Sequence, residues 1–76
     1  MRKYRVEAVI RGEDGNLGII TAHRFEAKNP TDAERFVDDW VTAMGVAYPA
    51  AASLRIVRAE MIIAERRMDA STWTRL

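Results

Sequence analysis

The sequence predicts a small α+β domain of order β-β-α-β, with one amphipathic helix on one face of a three-stranded antiparallel or mixed sheet. Three observations carry this. Two segments before residue 28 alternate with period two, one clean helical stripe lies between residues 33 and 44, and a β-branched run follows from Leu54.

The first strand is read from Tyr4, Val6, Ala8 and Ile10, which alternate with Lys3, Arg5, Glu7, Val9 and Arg11. Gly12-Glu13-Asp14-Gly15-Asn16 follows, and its Asp-Gly pair favours positive φ, so a hairpin loop is expected. A second strand runs from about Leu17 to Ala27. Its apolar positions change phase between Ile19, Ile20, Ala22 and Phe25, which predicts a β-bulge near Thr21.

The helix has two possible starts. Thr31 with Glu34 three residues on makes a capping box, whereas Asn29 at the cap puts Pro30 at the first helical position. Ala33, Phe36, Val37, Trp40, Val41 and Met44 then form one continuous apolar stripe. Gly45 is the expected stop, and residues 46–53, pinned by Pro49, the expected linker. A third strand is predicted from Leu54 to Glu65, with a phase slip around Ile56-Val57. Residues 1–65 form the domain, and 66–76, with Trp73 as its large apolar group, is a tail or a short fourth strand. One helix covers one sheet face, so part of the other face, including Val9 and Ile20, is left for another chain. A homodimer is the structural expectation.

Composition narrows the function classes. Seventy-six residues make one domain. The chain has no cysteine, no apolar run near membrane-spanning length and no apolar segment after its basic start, so a cytoplasmic protein is expected, in the host cytoplasm if a phage encodes it. Net charge is only +1, but it is polarised. Arg2, Lys3, Arg5 and Arg11 outweigh Glu7 at the start, and Asp32, Glu34, Asp38 and Asp39 outweigh Arg35 on the helix.

Catalytic groups are few. His23 is the one histidine, mid-strand between Ala22 and Arg24, and Ser53 and Ser71 have no partner pattern around them. Glu34 and Asp38 share a helix face at i, i+4 and in principle chelate a hard cation, but this spacing is also that of an ordinary wet helix face. Gly12, Gly15 and Gly18 precede a strand and not a helix, so they are turn residues and not a phosphate loop. The sequence therefore predicts a binding protein and not an enzyme, with no metal or cofactor.

Two surfaces remain as candidates. One is the acidic helix face of Asp32, Glu34, Asp38 and Asp39. The other is a basic sheet face of Lys3, Arg5, Arg11, Arg24, Arg55 and Arg58, interleaved with Glu7, Glu26 and Glu60. That second surface has three readings: a solvated sheet face, a protein or dimer interface, and a DNA- or RNA-binding surface with Tyr4, Tyr48 or Trp73 as stacking groups. Trp73 itself either closes the core or anchors a partner.

The stretch Phe25-Glu-Ala-Lys-Asn-Pro-Thr-Asp-Ala-Glu-Arg-Phe-Val37 resembles a strand-to-helix junction of small bacterial and phage domains. HicB-type antitoxins have a related opening, but their proline-glycine turn before the helix is missing here. In size, lack of cysteine and β-β-α-β order, the whole chain resembles the small anti-CRISPR proteins of phages. The resemblance implies a stoichiometric inhibitor or adaptor that docks on a nucleic-acid-handling complex, with the acids of the helix occupying arginine sites meant for phosphates.

Overall fold

A computed structural model describes residues 1–44 and 52–76. The order of elements is β1 (Arg2–Arg11), β2 (Leu17–Ala27), α1 (Pro30–Met44), β3 (Ser53–Arg58), β4 (Met61–Arg67) and β5 (Thr74–Arg75). The strands form one antiparallel sheet in the order β2-β1-β3-β4-β5. The class is α+β with a single helix among the described residues, and the sheet has five strands where three or four were expected.

The extra strands come from a turn that the sequence disguises. The run expected as one strand from Leu54 to Glu65 folds back on itself at Ala59 and Glu60, whose φ angles are 51° and 64°. Two successive residues at positive φ are the mark of the type I′ turn that matches hairpin twist. Asn-Gly or Asp-Gly normally announces it, and Ala-Glu does not. The phase slip noted around Ile56-Val57 is real. Ile56 pairs with Ala64 and Val57 with Ile62, so Ile63 is the extra residue of a bulge in β4. The division expected at residue 65 falls inside β4, and β5 supplies the short additional strand in the tail.

In β2, Ala8 pairs with Thr21 and Val9 with Ile19, which makes Ile20 the bulged residue beside the expected position. The β1–β2 loop is closed by Gly12 N–H donating to Asn16 O (2.8 Å), and Gly15 takes φ 84°. Of the two helix starts, the structure uses the second. Asp32 N–H donates to Asn29 Oδ1 at 2.8 Å, and Pro30 opens the helix. The expected stop at Gly45 and the linker with Tyr48 and Pro49 lie outside the described residues.

Register sorts the side chains. Tyr4, Val6, Ala8, Phe25, Ala27, Leu54, Ile56 and Ala64 turn toward the helix and pack with Ala33 and Val37 in one core. Trp40, Val41, Ile63, Met68 and Trp73 close its margins. The opposite face of the sheet carries Lys3, Arg5, Glu7, Val9, Arg24, Glu26, Arg55, Val57, Glu65 and Arg67. Nothing in the chain covers it among the described residues.

Candidate functional site: the uncovered sheet face

The middle of this face is organised by Glu7. Arg55 Nε donates to its Oε1 at 2.7 Å and Arg5 Nε to its Oε2 at 2.8 Å. A carboxylate so bridged stands between two strands, because Glu7 is opposite Arg55 in the β1–β3 register. Glu7 is only 5% exposed although it lies on the uncovered face. That burial opposes its charged form, but the hydrogen bonds and charges of Arg55 and Arg5 outweigh it and hold the carboxyl below its ordinary range. The sequence showed Glu7 as one acid interleaved among arginines. Its role depends on Arg55, which is 48 residues away, and no local signal announces that pair.

The six basic residues predicted for the sheet face separate into two groups around this bridge. Lys3, Arg5 and Arg24 line a shallow hollow of about 260 Å³ at one end, with Glu60 as its acid. Arg58, expected on this face, is in step with Leu54 and Ile56 and reaches the hollow around the sheet end from the helix side of β3. Arg11 and Arg55 line a second hollow of about 290 Å³ with Glu65, Val9 and Leu17. In the first, Arg5 is directly opposite Arg24 in the β1–β2 register. Like charges set opposite each other across strands are unfavourable, and an anion between them relieves the repulsion. Aliphatic groups flank the charges. Leu17 is 52% and Ile19 57% exposed, and Ile62, also exposed, pairs with Val57 on the same face.

The aromatic rings lie on the other side. Tyr4 is buried beneath the helix, so it is not a stacking group of this face. His23, Phe25, Phe36 and Trp40 form an interleaved stack between β2 and the helix, with Phe25–Phe36 centroids at 4.3 Å, Phe36–His23 at 6.4 Å and His23–Trp40 at 5.4 Å. The three pairs are within 6° of parallel. His23 is thus an exposed edge-strand residue held between two rings.

The acidic helix face is divided by the fold. Asp38 Oδ1 accepts from Arg66 Nε at 3.0 Å and from Trp73 Nε1 at 3.1 Å, and Glu34 Oε2 accepts from Arg75 Nε at 2.9 Å. Two of the four predicted contact acids therefore anchor the C-terminal segment. Asp32 and Asp39 lie beside β2, in a groove shared with Arg35 and Phe36. Trp73 closes the core, with the Arg66 guanidinium 5.3 Å from its ring centroid. No described helix is long and apolar enough to cross a membrane, and no three His, Cys, Asp or Glu side chains among the described residues gather as metal ligands.

Compared with known proteins, the chain matches no family model, and no curated protein or solved structure is significantly similar to it.

Proposed function

We propose that this chain is a non-enzymatic binding protein whose contact surface is the uncovered sheet face, and that its partner is a protein surface bearing carboxylates. The observation that carries the reading is the hollow of Lys3, Arg5, Arg24 and Arg58, with Arg5 and Arg24 opposed across β1 and β2. By register, Lys3, Arg5, Arg11, Arg24, Arg55 and Arg67 share this surface with only Glu7, Glu26 and Glu65, so it attracts an acidic partner. The exposed Leu17, Ile19 and Ile62 add the apolar contact that protein interfaces use. A stoichiometric inhibitor or adaptor on a nucleic-acid-handling complex, the role implied by the outline shared with anti-CRISPR proteins, belongs to this class.

The surplus positive charge also favours a second reading, a DNA- or RNA-binding module that grips phosphates. The rings that single-strand binders stack on bases are placed on the helix side among the described residues, which favours the protein partner.

The test uses Lys3 and Arg58, which stand outside the Glu7 bridge. The immobilised chain is used to capture its partner from the native host, and one-to-one binding of the purified partner is then measured by calorimetry. A protein partner that binds the parent chain and loses affinity to K3E/R58E, with D39K unaffected, is the expected result. Capture of bare nucleic acid, removed by nuclease and by salt, selects the second reading. Equal binding by K3E/R58E rejects the face for both.

A further inference from the structure

The two edges of the sheet are unequal. One is β5, two residues long, and the other is β2, eleven residues long. An edge strand presents backbone N–H and C=O groups ready to pair with another strand, and stable monomers blunt such edges with proline, short length, bulges or charged side chains. β2 contains no proline, and its bulge at Ile20 lies toward the hairpin loop, so Thr21–Ala27 stays in regular register.

The charges on that regular half decide what pairs with it. On the uncovered face it carries Arg24 and Glu26, two residues apart. Across β1, Glu26 is opposite Lys3, but Arg24 is opposite the like-charged Arg5. We propose that β2 pairs antiparallel with β2 of a second copy about a two-fold axis at Phe25, joining two sheets into one of ten strands. In this register Arg24 of each copy is opposite Glu26 of the other, and the two ion pairs form symmetrically. Arg24 thereby gains the opposite charge that β1 does not offer.

The helix side is self-complementary in the same sense. Beside the edge, a groove of about 340 Å³ is lined by Arg35 between Asp32 and Asp39, with Phe36 and Met1 as its apolar part. Phe36 is 36% exposed there while stacked on Phe25. An axis through Phe25 brings two such rims together, each with both signs of charge and an apolar ring. The same patch meeting its own copy is the pattern of an isologous dimer.

Sedimentation equilibrium of the full chain at high micromolar concentration tests this, with far-UV circular dichroism confirming that each variant is folded. The parent chain is expected to be a dimer. R24E puts Glu opposite Glu26 of the second copy at both pairs and is expected to raise the dissociation constant about 30-fold. E26R should act likewise. The double swap R24E/E26R restores both pairs with reversed polarity and is expected to recover the parent dimer. A monomeric parent chain, an R24E variant that dimerises as tightly as the parent, or a double swap that stays monomeric would each overturn the proposal. Lys3 is opposite Glu26 and so is not independent of the dimer, but Arg58 lies neither on β2 nor opposite it, so R58E alone reports on the sheet-face partner separately.

Discussion

Trp73 donates its indole N–H to the same Asp38 oxygen that accepts from Arg66, so one helix carboxylate holds both the last apolar anchor of the chain and a nearly buried guanidinium. The Arg66 side chain is 9% exposed, and its Nη1 also donates to the carbonyls of Arg67 and Ala70. The polar tip of Trp73 and the charge of Arg66 are therefore satisfied at one point, and the segment after β4 is fastened to the helix through it.

Removing that oxygen should loosen the fastening. Asp38→Ala leaves Arg66 without its carboxylate and Trp73 without its acceptor, and is expected to destabilise by about 1–3 kcal/mol. Asp38→Asn keeps an acceptor for Trp73 and should cost less. Urea denaturation followed by circular dichroism measures both, and an unchanged midpoint for Asp38→Ala would remove Asp38 from this role.

Glu7 gives a pH dependence with a definite sign. Its folded carboxyl is held below the ordinary value of 4.5, so the stabilisation it adds is fully present above that value. It is lost as the pH falls from there through the lower folded value. Glu7→Gln is expected to cost about 1–3 kcal/mol at neutral pH, because Arg5 and Arg55 then surround a neutral group. The variant should also lose part of the acid sensitivity of the parent. Urea midpoints compared between about pH 7 and about pH 3 should converge at the acid end.

The Ala59-Glu60 turn predicts a gain. Each residue bears a side chain in the left-handed region, where most L-residues are strained, asparagine less so and glycine not at all. Replacing the pair by Asn-Gly is expected to raise stability by about 1 kcal/mol, less than the relieved strain because glycine also loosens the unfolded chain. A lower denaturation midpoint would count against the turn as described.

How much of this was legible depended on whether the signal was local. The helix, its alternative cap at Asn29, the loop at Gly15 and the bulge beside Thr21 were all written in neighbouring residues, and the structure places them there. The β3–β4 hairpin was hidden because Ala-Glu carries no turn chemistry, so a strand, a turn and another strand looked like one long strand. The partners of the candidate site residues were hidden in a similar way. Asp32, Glu34, Asp38 and Asp39 looked like one surface while their partners were unknown. Arg66 and Arg75, 28 and 41 residues further along, claimed two of them. Arg5 and Arg24 were each visible as basic residues of the sheet, but only the register shows that they stand opposite each other.

The mismatch between the eleven-residue and two-residue edges also limits how this protein can polymerise. At the short edge, Arg75 is bonded back to Glu34 and Thr31, and two residues of backbone offer little to template on. Growth by strand addition is therefore one-sided. Once the long edge is occupied, the described residues leave only β5 and the short ends of β4 that β5 does not pair, so crowding the chain should yield closed complexes and not filaments.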